Sequence, residues 1–229
     1  MFLKDVEFAT MYREHFAAVG RGRTPVSKWE AKAAAMTLDS VAETSMDPYL
    51  VRLLALMALE PSDTVLDVGC GSGSLAVAMA AQAKAVYALD YSPTMLAHVQ
   101  ARAAQQSINT IHTIEKDWYE PWDEVPMCEV AVASRSSLVE DMAAAVIKLS
   151  QKARRRVWLT YPTDRQFGAP KGEGGAAHPL GMPEYFYVPA ILHQLGVQAT
   201  VQFIEAAHRW AVISWCPQPL WHPRSEALG

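Results

Sequence analysis

Positive charge is not in excess in this chain. Its 20 lysines and arginines stand against 24 aspartates and glutamates, for a formal net charge of −4. A free-standing nucleic-acid binder usually carries a basic surplus, so the balance points away from nucleic acid and toward a small-molecule substrate. Long apolar runs are missing as well. The most apolar short stretch, Leu53 to Leu59, is about a third of the roughly 20 residues that span a bilayer. Lys4, Asp5 and Glu7 occupy the place where a secretory signal needs apolar residues. No membrane association is expected. Cysteine is scarce: Cys70, Cys128 and Cys216 are odd in number, widely spaced and without a CxxC pair, which excludes a disulfide framework and a structural zinc site. A reduced, cytoplasmic protein is the expectation. None of the 7 histidines pairs with another at the i, i+4 spacing of a helical metal site, so no metal is expected. Internal repeats and low-complexity tracts are absent, and the oligomeric state stays open, a homodimer included.

What is present is globular composition, 51% hydrophobic and 19% charged over 229 residues, enough for one α/β unit with a sizeable core. Residues 1–60 read as a helical cap with segments Val6 to Val19, Ser27 to Val41 and Pro48 to Leu59. Ser27 and Glu30 have the spacing of a capping box, and Asp47 before Pro48 is a good N-cap. From residue 61 to 229 the texture alternates. Strands are expected at Thr64 to Val68, Ala85 to Leu89, Thr110 to Ile114, Glu129 to Ala133 and Val157 to Tyr161, with helices between them. Strand–helix alternation implies a parallel sheet covered on both faces. Gln198 to Glu205 and Trp210 to Trp215 are joined too closely for a crossover helix, so one of the two must run antiparallel. The expected fold is α/β, a Rossmann-like, mostly parallel seven-stranded sheet with an antiparallel C-terminal hairpin and an N-terminal helical extension.

The densest signal is Val65-Leu66-Asp67-Val68-Gly69-Cys70-Gly71-Ser72-Gly73-Ser74, a buried strand running into alternate glycines and then a helix. Ligands of open α/β sheets bind at the carboxyl ends of such strands. Asp90, expected at an open strand end, is placed to accept both hydroxyls of a ribose. A dinucleotide is the competing ligand, and two residues argue against it. Its glycine pattern wants glycine or alanine where Ser74 stands. Asp67 would repel a pyrophosphate but suit a ligand bearing an ammonium and a sulfonium.

The run from Asp67 to Gly73, Leu89-Asp90, Ser92-Pro-Thr-Met-Leu96, Lys116-Asp117-Trp118 and the strand Glu129 to Ser134 together resemble class I S-adenosylmethionine (SAM)-dependent methyltransferases. The resemblance covers Val65 to Tyr161 well and the flanking segments in outline. It implies SAM as cofactor and S-adenosylhomocysteine as product. It implies that Asp67 and the backbone at Gly69 and Gly71 hold the methionine end, with Cys70, Gly73 and Met95 alongside. Asp90 would take the ribose, Tyr91 would flank the adenine, Asp117 would bond its amino group and Trp118 would pack on its ring. Ser134 and Arg135 would lie beside the methyl group and the acceptor.

Several readings stay open. Trp118 can equally be core packing. Arg135 can clamp an acceptor's carboxylate or phosphate, or pair with a surface acid such as Glu140. Cys70 reads as a small filler and not a nucleophile. The run Arg154-Arg155-Arg156 reads as solvated charge after a helix C-terminus. Candidates for a general base are His178, Tyr161 and Glu173. His178 lies in the glycine-rich stretch Asp164 to Pro183, which has the composition of a lid. Ala133-Ser-Arg-Ser136 differs from the Pro-Pro-Tyr type run of adenine-N6 and glutamine methylases, which speaks against those acceptors. The function expected is methyl transfer to a small molecule. The alternatives are an RNA or DNA methyltransferase, and a SAM-binding protein without transferase activity.

Overall fold

A computed structural model describes residues 5–19, 22–37, 47–163 and 183–217. Among the described residues the helices α1 (Phe8–Ala18), α2 (Val26–Ala34) and α3 (Pro48–Met57) come first. Then follow β1 (Thr64–Val68), α4 (Ser74–Ala80), β2 (Ala85–Asp90), α5 (Pro93–Gln105), β3 (Ile111–Glu115), β4 (Cys128–Ala133), α6 (Met142–Gln151), β5 (Ala153–Pro162), α7 (Glu184–Gln194), β6 (Ala199–Glu205) and β7 (Arg209–Trp215). The strands form one seven-stranded sheet in the order β3-β2-β1-β4-β5-β7-β6. β1 to β5 pair in parallel, and β7 enters antiparallel between β5 and β6. The short connection between β6 and β7 leaves no other direction open.

Local chemistry accounts for the element ends that matter. Asp47 accepts a hydrogen bond from Tyr49 N at 2.9 Å and Pro48 opens α3. Ser92 caps α5 through Met95 N at 3.1 Å, again with proline at the first position. Gly196, at φ 77°, follows the last turn of α7, a conformation glycine takes without strain.

Helices cover both faces. α1, α6 and α7 pack on one, while α3, α4 and α5 pack on the other, with α2 lying outside α5. Side chains alternate between faces along a strand. In β1, Leu66 and Val68 join the core under α6 and α7, and Val65 joins the core under α3 and α4. Asp67 therefore points to the Val65 side, where the only polar side chain of the strand's second half is buried.

Two expectations need correction. Ser27 and Glu30 form no capping box. α2 begins at Val26 behind Pro25, with no side-chain cap. Glu30 instead accepts hydrogen bonds from Ser92 Oγ and Thr94 Oγ1, which docks α2 onto the start of α5. The arginine run also belongs to β5 and not to the connection before it, although Arg154 and Arg155 stay exposed as expected. The strand starts at Ala153, Arg155 pairs with the buried Asp63, and Arg154 pairs with Glu129 at 3.4 Å. The last part of the expected second helix and most of the glycine-rich stretch, His178 and Glu173 included, lie outside the described residues.

Candidate active site

The strand order reverses between β1 and β4, so their connections leave in opposite directions and a crevice opens at their carboxyl ends. A cavity of about 420 Å³ lies there. Its walls come from the turn after β1, the ends of β2, β3 and β4, and the N-terminal helices.

The turn itself demands glycine. Gly69 has φ 68°, and a Cβ on it would stand 2.4 Å from Ser136 Cβ. Gly73 has φ 84°, and a Cβ there would meet Val99 at 2.9 Å. These two residues let the turn close against its neighbours. Gly71, also at positive φ, faces open space instead, and its N–H donates to Asp90 Oδ2 at 2.9 Å.

Asp67 is 1% exposed, and its Oδ2 has no hydrogen-bond partner among the described residues. Burial, and then the nearby charge of Asp90, push its carboxyl up to about 7. A buried carboxylate left in that condition costs free energy, and a cationic ligand group would relieve it. Asp90 does not sit at an open strand end as expected. It is 7% exposed and accepts from both Gly71 N and Ser92 N, the latter at 3.0 Å. Burial raises its carboxyl, and the backbone hydrogen bonds oppose that rise. Cys70 lines the cavity with a thiol raised well above its ordinary range, first by burial and then by Asp67 and Asp90. Both causes hold the thiol protonated, as suits a small filler and not a nucleophile.

Asp117 and Trp118 reach the cavity together with Tyr91 and Met95. Asp117 Oδ1 accepts from Tyr119 N and Glu120 N at 2.7 and 2.9 Å, and its Oδ2 pairs with Arg23. Trp118 donates to Ser136 O at 3.2 Å and leans on Trp122 with 5.4 Å between ring centroids. It is thus both a packing residue and a wall. Tyr91 donates to Thr24 O at 3.0 Å, which ties the segment before α2 to the end of β2.

Ser134 and Arg135 line the cavity just past β4. Arg135 pairs with Asp47 at 2.8 Å, not with Glu140. Its guanidinium lies 3.9 Å from the Tyr49 ring centroid and 5.1 Å from that of Trp210. Its backbone takes φ 59°, unusual for a residue with a side chain, and its N–H donates to Thr160 Oγ1 at 3.0 Å. Beneath it, the buried Tyr49 hydroxyl bonds to Ser134 Oγ and Thr160 Oγ1, each at 2.8 Å. Tyr161 is not in the site. It is fully buried under α1 and α6, and its hydroxyl donates to Ser137 O at 2.8 Å, so it has no access to a substrate proton.

Sequence reasoning missed the wall that the N-terminal segment supplies. Arg23, Thr24, Trp29, Lys32 and Met36 all line the cavity, held there by Glu30 and by His98, which bonds to Ala33 O at 2.9 Å. A capping-box reading absorbed the one residue, Glu30, that could have signalled the docking.

A family model described as a methyltransferase domain matches residues 65–155. An uncharacterized protein of Haemophilus influenzae is 38% identical over 207 residues, which is 90% of this chain and 76% of that protein. Protein-L-isoaspartate O-methyltransferase 1 of Cupriavidus necator is 32% identical over 151 residues, 65% of this chain and 58% of that one. Among solved structures, magnesium protoporphyrin IX methyltransferase from Synechocystis PCC 6803 with bound SAM superposes with a TM-score of 0.53 at 19% identity, covering 92% of this chain and 98% of that one. The chain therefore carries a methyltransferase domain over residues 65–155, and its glycine turn, two buried carboxylates and sheet order fit the resemblance to class I SAM-dependent methyltransferases seen in its sequence.

Proposed function

We propose that the protein transfers the methyl group of SAM to a small molecule bound between the end of β4 and the N-terminal helices. The residues fit the cofactor on grounds of their own. The orphaned oxygen of Asp67 suits the ammonium of the amino-acid end. The open space at Gly71 lets a ligand approach the backbone. Asp90, braced by two backbone N–H groups, keeps lone pairs for ribose hydroxyls. Tyr91, Met95 and Trp118 offer apolar surface for the adenine, and Asp117 lies within the same wall. When bound, the cofactor supplies a methyl group already activated by its sulfonium.

The protein's contribution is then alignment and exclusion of water, and proximity and orientation can account for much of the rate. Ser134 is held by the Tyr49 hydroxyl and Arg135 by Asp47 and two aromatic rings, so this edge of the site is preorganised. Arg135 gives Asp47 only part of its five donors, which leaves others for an acceptor's anionic group. A general base is required only if the nucleophile arrives protonated.

The observation that carries the small-molecule reading is the size of the cavity at the strand ends. Met36 and Leu50 from the N-terminal segment and Leu138 and Val139 from the segment after β4 give it apolar lining. The volume of about 420 Å³ falls in the roughly 300–1,000 Å³ typical of small-molecule sites. The net charge of −4 gives no support to a polyanionic acceptor. Incubation with methyl-tritiated SAM and separate pools of metabolites, RNA and protein tests this. Label is expected in the metabolite pool. Label in RNA, or in protein as the name of the Cupriavidus relative would suggest, refutes it. Binding of S-adenosylhomocysteine with no labelled pool would mean a SAM-binding protein that is no transferase.

A further inference from the structure

Among the described residues, seven charged side chains line the cavity: Arg23, Lys32, Asp67, Asp90, Lys116, Asp117 and Arg135. Most are already engaged within the protein. Arg23 pairs with Asp117, Arg135 with Asp47, and Lys116 with Glu120 at 3.8 Å. Asp90 is held by two backbone N–H groups. Two remain. Asp67 keeps an orphaned buried oxygen. Lys32 has no carboxylate partner among the described residues, and its Nζ rests 4.9 Å from the centroid of the Trp29 ring. Among the described residues the cavity thus presents one unmatched anion and one unmatched cation, the complement of the two ends of an α-amino acid.

We infer that Lys32, on α2, binds the carboxylate of the cofactor's amino-acid end, while Asp67 takes its ammonium. This rests on SAM occupying the cavity as proposed above. It makes α2 part of the cofactor site and not a passive cover. Glu30 bonds to Ser92 and Thr94, and His98 to Ala33. These contacts hold the helix so that Lys32 and Trp29 line the cavity at its solvent edge while Ala33 and Glu30 face α5. The three-residue spacing of Trp29 and Lys32 puts them on one side of the helix. The Trp29 ring also restrains the flexible lysine stem, which lowers the entropy lost when the ammonium is fixed.

The test is a cycle that pairs a protein variant with a ligand lacking the same interaction. Lys32→Met keeps the apolar stem on Trp29 and removes the charge. Because Lys32 is exposed, the fold should tolerate it, which circular dichroism and a urea melt check. Calorimetry measures S-adenosylhomocysteine and its decarboxylated analogue, which keeps the adenosine and the ammonium. Lys32→Met should weaken S-adenosylhomocysteine by roughly five- to tenfold, as for a charged hydrogen bond at a partly screened site. It should leave the decarboxylated analogue within about twofold of wild type by the logic of the cycle. Lys32→Arg should restore most of the loss. Equal weakening of both ligands would overturn the assignment, since Lys32 would then act through the adenosine or the fold. No change in either would overturn it too, leaving Lys32 to the acceptor or to solvent. If wild-type protein bound neither ligand, the cofactor reading itself would fall, and that result is distinct from the others.

Discussion

Replacing Asp67 with asparagine removes a charge while keeping the side chain's size, and the free and cofactor-bound proteins should respond in opposite directions. In the folded chain the Asp67 carboxyl titrates at about 7 instead of 3.8, because it is buried and faces Asp90. Below pH 3.8 the group is protonated in both the folded and the unfolded state, and its favourable contribution is fully present. Between there and about 7 the unfolded chain has released the proton while the folded chain still holds it. Stability therefore falls by about 1.4 kcal/mol per pH unit, and the loss is complete above the folded value. The gap from 3.8 to about 7 amounts to about 4 kcal/mol at that rate. Asp67→Asn carries no such penalty, so without ligand it should be more stable than wild type at pH 8 by up to about 4 kcal/mol. Its stability should lack this falling component. Binding should go the other way. An ammonium needs the ionised carboxylate, so wild-type affinity for S-adenosylhomocysteine should rise by up to tenfold per pH unit below about 7 and then level off. The asparagine variant should bind more weakly, with little pH dependence. Urea melts and calorimetry across this range read both effects. If the variant's stability fell with pH as steeply as that of wild type, or wild-type affinity were flat between about pH 5.5 and 7, Asp67 would not be the ammonium site argued here.

Substitutions at three further positions separate binding from structure. Asp90→Ala should cost about 2–3 kcal/mol of cofactor affinity and, because Gly71 N and Ser92 N lose their acceptor, about 1–3 kcal/mol of unliganded stability as well. Unchanged unfolding would contradict the bracing role. Arg135→Gly should be more stable than Arg135→Ala by about 1 kcal/mol, since both lose the Asp47 pair but only glycine adopts φ 59° without strain. Equal urea midpoints would refute that strain. Tyr161→Phe should lower stability by about 1–2 kcal/mol through the lost hydrogen bond to Ser137 O, yet keep near wild-type turnover. A large fall in turnover at full folding would return Tyr161 to the list of catalytic candidates.

The sequence alone carried the glycine turn, the sheet and the cofactor. These signals are local: alternation of strands and helices, glycines with φ of 68°, 54° and 84° at a strand-to-helix turn, and a strand-end acid. Each follows from residues a few positions apart, so it can be read along the chain. The antiparallel hairpin was legible for the same reason, because its connection is short. Position relative to distant residues was not legible. Tyr161 follows the apolar alternation of β5, but only the packing of α1 and α6 decides that its hydroxyl is sealed from the cavity. Arg135 meets Asp47, 88 residues away, because α3 begins beside the end of β4, and nothing near either residue announces that. Asp90 looked like an exposed strand end until the turn after β1 folded back and gave it Gly71 N, 19 residues away. The inward face of α2 was hidden most completely. A helix's polar residues show their partners only when another element docks, and Glu30, Trp29 and Lys32 acquired theirs from α5 and the cavity. Local sequence set the glycine turn because its conformational demands are local. Tertiary packing decided which charges remained free to meet a ligand, because a charge is free only with respect to every element around it.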